Sequence, residues 1–195
     1  YGNTVLMLAV AQNQFEIVNT LLINGANVDE TDYYDNATAL IYACNNYSLD
    51  CSTKMVELLI DYKANVNFKQ KINRVEQNGA VSKVINTPLT LASKNGCISV
   101  AQTLLNAGAD INISTYYEGY GAITEALLQE NLEMARFLII ERKAKIPTYC
   151  FIRNQGSHSE QLISVAELIG NIKTSQNKNS NKIKECCHHH RVMRL

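Results

Sequence analysis

A pattern that returns four times constrains this chain more than any single motif, because segments too short to bury their own apolar faces must bury them against one another. The four openings are Thr4-Val5-Leu6-Met7-Leu8-Ala9, Thr38-Ala39-Leu40-Ile41-Tyr42-Ala43, Thr87-Pro88-Leu89-Thr90-Leu91-Ala92 and Gly121-Ala122-Ile123-Thr124-Glu125-Ala126. Each precedes a second apolar segment: Phe15 to Ile23, Lys54 to Ile60, Ile98 to Leu105 and Leu132 to Ile140. Each unit then closes with Gly25-Ala26-Asn27-Val28, Lys63-Ala64-Asn65-Val66, Gly108-Ala109-Asp110-Ile111 or, one residue out of step, Lys143-Ala144-Lys145-Ile146.

The residues of one unit dictate a helical hairpin. Thr at the opening caps a helix by accepting from an orphan backbone amide, and Pro88 occupies the first helical position, where its missing N–H is harmless. Ile17, Val18, Leu21 and Leu22 fall on one stripe of a second helix, which Gly25 or Gly108 ends in a left-handed cap. Helices this short are marginal alone, so stacking of units is required. Lys63 stands where Gly is preferred, and a left-handed conformation there costs about 1 kcal/mol.

These residues resemble the ankyrin repeat, whose unit of about 33 residues runs from a Thr-Pro-Leu-His helix start to a Gly-Ala-Asp segment and a β-turn finger. The resemblance covers residues 1 to about 146. It implies an all-α solenoid, a right-angled stack of helix pairs with projecting fingers, one of them lengthened into a β-hairpin. The expected division is repeat 1 over 1–33, repeat 2 over 34–68, the hairpin finger over 69–86, repeat 3 over 87–114, repeat 4 over 115–146, a degenerate capping helix pair over 147–172 and a disordered tail over 173–195. The His of the family's helix start is replaced by Met7, Ile41, Thr90 and Thr124. The bridge that His makes in the family is therefore lost, which implies lower stability.

Thr4 to Thr38 and Thr87 to Gly121 are each 34 residues, but Thr38 to Thr87 is 49. Four of the fifteen extra residues fall between the helices of repeat 2, near Asn45 to Cys51, and eleven in its finger. There, β-branched residues flank Asn78-Gly79, a two-residue hairpin signal because both positions favour positive φ. The finger reads as a β-hairpin rather than a floppy insert, and as a recognition arm or an ornament. Beyond Pro147, Leu162, Val165, Ala166 and Ile169 share one helical face behind Ser159 as cap, which predicts the closing helix. Val5, Leu8 and Phe15 read as an internal, buried set, so further repeats are expected before Tyr1.

Eighteen Lys plus Arg balance eighteen Asp plus Glu, which argues against specific nucleic-acid binding. The charges are striped, with −6 over residues 1–53, +4 over 54–94, −5 over 95–135 and +7 over 136–195. Stacking should set Asp29, Glu30, Asp32 and Asp35 beside Lys69, Lys71, Arg74 and Lys83, exposed pairs contributing about 0–1 kcal/mol each. No apolar run nears the roughly 18 residues of a bilayer span, so no membrane insertion is expected.

The cysteines match neither a metal knuckle nor a dense disulfide framework, which points to a reducing, cytoplasmic location with Cys44 and Cys97 as small apolar fillers. Cys186-Cys187-His188-His189-His190 holds ligand types in adjacent positions that do not easily wrap one tetrahedral ion, leaving at most an adventitious metal site. No phosphate-binding, dinucleotide or hydrolase motif is present, so no catalytic residue, cofactor or enzymatic activity is expected.

Binding is what the resemblance implies: a monomeric module holding a partner protein against fingers and inner helices. The matching inner-helix positions are Ala11, Gln12, Asn45, Asn46, Lys94, Asn95, Leu128 and Gln129. Tyr33 and Tyr34 at the first finger, Tyr116, Tyr117 and Tyr120 at the third, and the hairpin cations Lys69, Lys71 and Arg74 complete the candidate surface. Tyrosine serves binding and finger-to-finger stacking equally well, as a rigid ring with a polar tip. The alternatives are a targeting arm of an enzyme whose catalytic domain lies outside this segment, and a purely architectural spacer.

Overall fold

A computed structural model describes residues 2–45, 53–75, 81–113, 121–129, 131–142, 144, 149–153 and 160–164. Its helices alternate as the repeats predict: α1 (Val5–Ala11), α2 (Phe15–Ile23), α3 (Ala39–Asn45), α4 (Thr53–Asp61), α5 (Pro88–Asn95), α6 (Ile98–Asn106), α7 (Ala122–Leu128) and α8 (Leu132–Arg136). Like packs on like: α1 on α3, α3 on α5, α5 on α7, and α4 on α6. Residues at the same place in successive units fill the seam, with Leu59, Leu104 and Leu138 each at 0% exposure.

Caps start the helices. Thr4 and Thr38 accept from Met7 N and Ile41 N at 3.2 and 3.4 Å. At α5 the missing His is partly made good: Thr87 N donates to Thr90 Oγ1 at 2.8 Å, Thr90 N to Thr87 Oγ1 at 3.2 Å, and Thr90 Oγ1 to Thr87 O at 2.9 Å. Gly121 stands where the other units have Thr, and a Cβ there would lie 2.9 Å from the Ile113 carbonyl oxygen. Close passage of the preceding finger thus excludes a capping side chain at α7.

The helix ends also repeat. Ala26, Ala64 and Ala109 N donate to Leu21, Leu59 and Leu104 O at 3.0, 3.0 and 2.9 Å. Ala144 N makes the equivalent bond to Leu138 O at 3.1 Å, but across one more residue. The surplus is taken up by a π-helical turn, Phe137–Glu141, which accounts for the unit whose closing segment was one residue out of step. Arg142 Nη2 then donates to Asn106 Oδ1 at 2.9 Å.

Between the units runs a ladder of Asn and Asp side chains. Asp29 N donates to Asn27 Oδ1, Asn65 N to Asp29 Oδ1, Asn67 N to Asn65 Oδ1, Asp110 N to Asn67 Oδ1 and Asn112 N to Asp110 Oδ1, over 2.7 to 3.1 Å. The striped charges suggested docking of carboxylates on Lys69 and Lys71. Instead Asp29 serves a backbone amide of the next unit, Glu30 accepts from Asn27 Nδ2 and Asp32 accepts from Asp35 N. An amide fixed by the fold, whether three residues away or on the next unit, is a nearer donor than a mobile, solvated ammonium. The side chains of Arg74 and Lys83 lie outside the described residues.

The long finger is an antiparallel hairpin of β1 (Gln70–Val75) and β2 (Val81–Asn86). Its register departs from the expected turn: a two-residue connection at Asn78-Gly79 would pair Val75 with Ser82, but Val75 faces Val81. The base explains this. Gln70, 5% exposed, donates to the Asp35 carbonyl oxygen at 2.9 Å and accepts from Asn86 Nδ2 at 3.0 Å, so pairing is fixed from the buried end. Residues 76–80 lie outside the described set.

Two further expectations fail. The closing helix from Ser159 is not formed: β4 (Glu160–Ser164) pairs antiparallel with β3 (Tyr149–Arg153). The aromatic and β-branched content of Tyr149, Phe151, Ile152 and Ile163 favours strands, against the helical spacing that continues into residues outside the described set. Val5, Leu8 and Phe15 are not buried but 64%, 48% and 37% exposed, since no described residue covers them. The 173–195 tail and the region of the four inter-helix extra residues beyond Asn45 also fall outside the described residues.

Lys63 adopts φ 69° at the position of Gly25 and Gly108. Relieving the Cβ clash should outweigh glycine's entropy, so Lys63→Gly is expected to raise unfolding stability by about 0.5–1 kcal/mol, measured as a higher urea midpoint at unchanged slope.

Candidate partner-binding surface

The first finger is built on a buried carboxylate. Asp32, 4% exposed, accepts from Asp35 N at 2.6 Å and from Tyr42 Oη at 3.0 Å, while its own N–H donates to the Ala37 carbonyl at 3.0 Å. Asn36 closes the turn at φ 48°, a left-handed value that Asn tolerates. Gly2 lies so close beneath that a Cβ would collide with the Cβ of Tyr33, and Tyr33 N donates to Gly2 O at 3.4 Å. The tip is therefore pinned at its base and along one side.

On this base Tyr33 and Tyr34 stand 85% and 72% exposed. Their rings meet edge to face, with centroids 5.5 Å apart and planes at 90°, an arrangement the ring quadrupoles favour. The hairpin joins them through Gln70, whose bond to the Asp35 carbonyl brings Lys69 and Lys71, both exposed, to the same end of the stack. Tyr33 and Tyr34 on the first finger and Lys69 and Lys71 on the hairpin are thus exposed on two fingers tied together by the Asp35–Gln70 contact. Arg74 continues β1 beyond it.

The inner-helix candidates form a separate group. Asn45, Lys94, Asn95, Leu128 and Gln129 lie at the C-terminal ends of α3, α5 and α7, the ends away from the fingers, as do Ala11 and Gln12 on α1. Asn45 is exposed, whereas Lys94, Asn95, Leu128 and Gln129 are half-buried. Asn95 has a structural role, because its Nδ2 donates to the Cys44 carbonyl at 2.9 Å and ties α5 to α3. Asn46, Tyr116, Tyr117 and Tyr120 lie outside the described residues.

Residues that sequence reasoning missed hold these groups in place. Asn131 Nδ2 donates to the Ser93 and Lys94 carbonyls at 3.3 and 2.8 Å, linking the fourth unit to the third as Asn95 links the third to the second. Asp32 and Gln70 anchor the finger patch. Their signal was a polar residue at the edge of an apolar or β-branched run, which looks in sequence like any solvated loop position.

Among the described residues no group of His, Cys, Asp and Glu is arranged to hold a metal, and no helix is long and apolar enough to cross a membrane. Cys97 is disulfide-bonded, contrary to its reading as a free apolar filler, and no other described cysteine side chain can be its partner, since Cys44 is free. Cys44 is buried, and burial pushes its thiol up to about 12. Burial, then the hydrogen bond to Asp32 and the nearby charges of Asp32 and Asp35, push Tyr42 up to about 12 as well.

Both shifts have the same sign. The unfolded chain loses these protons first, near the ordinary pKa values of about 8.5 for Cys and 10 for Tyr, so above those values it binds fewer protons than the folded chain. Their stabilisation is complete below about pH 8.5 and should be lost as pH rises through about 12. Stability measured by urea at stepped pH is expected to decline over that window, with a smaller decline above pH 10 in Tyr42→Phe.

A family model described as ankyrin repeats (3 copies) matches residues 6–115. The chain is 32% identical over 138 residues to an ankyrin repeat and KH domain-containing protein of Caenorhabditis briggsae, covering 71% of this chain and 5% of that protein. It is 32% identical over 130 residues to the E3 ubiquitin-protein ligase XBAT33 of Arabidopsis thaliana, covering 60% and 25%. With the nuclear factor NF-kappa-B p105 subunit of Gallus gallus it shares 30% over 145 residues, covering 73% and 13%. The chain thus spans a quarter or less of each of these relatives.

Proposed function

This chain belongs to the ankyrin repeat family, and we propose on that premise that it is a non-catalytic interaction module that holds a partner protein at the finger patch of Tyr33, Tyr34, Lys69 and Lys71. Ankyrin repeats are protein–protein interaction modules; what is proposed here is the place and manner of contact. The observation that carries it is the Tyr33–Tyr34 pair, 85% and 72% exposed on a turn whose buried base is fully hydrogen-bonded. Rigid rings already held in position lose little conformational entropy on binding. The adjacent ammonium groups add polar contacts at a rim.

Asn45, Lys94 and Gln129 extend the proposal along the inner helices, and Asn46, Arg74, Tyr116, Tyr117 and Tyr120 remain part of it as expected from the sequence. Asn95 contributes as a support for α3 and α5. We take the module to act as a monomer. The second reading, a targeting arm of a larger enzyme, is favoured by the likeness to a ubiquitin ligase of which this chain spans only 25%. Both readings need the same surface; a spacer needs none.

Replacing Tyr33 and Tyr34 together by Ala is expected to lower partner recovery in affinity capture at least about tenfold, the loss of a typical pair of interface anchors, with the melting temperature unchanged. Recovery of the same partners at the same level would place binding elsewhere or nowhere. A cytoplasmic location, which the sequence favoured, requires Cys97 to be reduced in the cell. The disulfide at Cys97 makes the compartment testable: labelling of Cys97 by alkylation of intact cells before lysis would support the cytoplasm, whereas labelling only after chemical reduction would assign an oxidising compartment.

A further inference from the structure

The fourth unit shows what the residue capping an outer helix reaches. Asn131, one residue before α8, donates from Nδ2 to the Ser93 and Lys94 carbonyls at the end of α5. It also meets Gly96, which stands two residues before α6. A Cβ at Gly96 would lie 3.0, 3.1 and 3.3 Å from Asn131 Oδ1, Cγ and Nδ2. The cap of one outer helix therefore faces back, onto the residue just ahead of the cap of the previous outer helix.

One unit earlier the same two places hold cysteines. Cys97 precedes α6 by one residue, as Asn131 precedes α8, and Cys51 precedes α4 by two, as Gly96 precedes α6. The two helices concerned, α4 and α6, pack on each other. The sulfur of Cys97 stands where Asn131 has Cγ. In a disulfide the Cβ of one cysteine lies about 3 Å from the sulfur of the other, which matches the 3.1 Å from a Cβ at Gly96 to Asn131 Cγ. The place at Gly96 also admits a side chain, since Asn13 holds it in the first unit with φ 55°, near the 72° of Gly96.

We infer that Cys97 is bonded to Cys51, so that an exchangeable disulfide braces the third unit against the second. Cys51 itself lies outside the described residues, and its place follows from the repeat. Cys97 is disulfide-bonded while Cys44 is free, which leaves Cys51, Cys150, Cys186 and Cys187 as partners. The last three follow the fourth unit in the chain, whereas the cap side chain faces the unit before its own. Forming the bond joins the two sulfurs, and the two thiols release two protons and two electrons. A small disulfide such as glutathione disulfide takes these up and becomes two thiols. Cys97 is half-buried, within reach of such a reagent. The bond does covalently at this seam what Asn131 does by hydrogen bonds at the next, and it is independent of the finger patch proposed above.

The test equilibrates the 195-residue chain with glutathione disulfide, alkylates it and cleaves it on the N-terminal side of Asp without reduction. Cuts before Asp35, Asp50, Asp61 and Asp110 place Cys44, Cys51 and Cys97 on three separate peptides and the remaining cysteines on a fourth. The expected mass is that of the Cys51 and Cys97 peptides joined, lost on treatment with dithiothreitol. Cys97 joined to the fourth peptide, capped by glutathione or left as a free thiol would overturn the inference. Reduction is expected to lower the melting temperature by about 5 °C or more. Cys51→Ser should abolish that response and Cys150→Ser should keep it; an undiminished response in Cys51→Ser would equally overturn the inference. Partner capture by the Tyr33 and Tyr34 variant is read separately, so the two proposals fail independently.

Discussion

Everything in this molecule depends on burial between successive units. Its helices are five to nine residues long, too short to persist alone in water, and each is held by a neighbour from another repeat. Leu59, Leu104 and Leu138 at 0% exposure are the points where that dependence is strongest. Apolar burial is non-directional, however, and does not set the angle at which units meet. The ladder from Asn27 to Asn112 supplies that direction, because each bond from a backbone amide to an Asn or Asp side-chain oxygen accepts a narrow range of geometry.

Function follows from this division of labour. Stacking makes the scaffold stiff, and the polar bonds at the finger bases pass the stiffness out to the tips. Asp32 illustrates the link: one buried carboxylate organises the turn, orients Tyr42 beneath it and leaves two rings facing solvent. Gln70 does the same for the hairpin, holding it against Asp35. The exposed finger tips are therefore positioned by polar groups buried beneath them.

The repeat architecture was legible because its landmarks are chemically specific. Thr as a cap and Gly at a left-handed position recur with the period of the stack, and even the deviant Lys63 takes the expected conformation. What sequence reasoning missed depended on contacts distant in the chain. The local Asn78-Gly79 signal was overridden by Gln70 at the other end of the hairpin. Charge stripes suggested ion pairs, yet the carboxylates of Asp32 and Asp29 found backbone amides three residues and one repeat away. Near the C-terminus, helical spacing and strand propensity conflicted, and pairing of Tyr149–Arg153 with Glu160–Ser164 prevailed.

The π-turn at Phe137–Glu141 has a consequence for how such an array changes over time. A single inserted residue in a straight helix rotates everything after it by about 100°, which would carry the following apolar residues off the seam. Here the widened turn absorbs that rotation locally, so Leu138 and Ala144 stay buried on either side of the insertion. The outer helix thus acts as an expansion joint. Length variation by one residue becomes tolerable in a fold whose period otherwise forbids it, and the stack retains its phase across the defect.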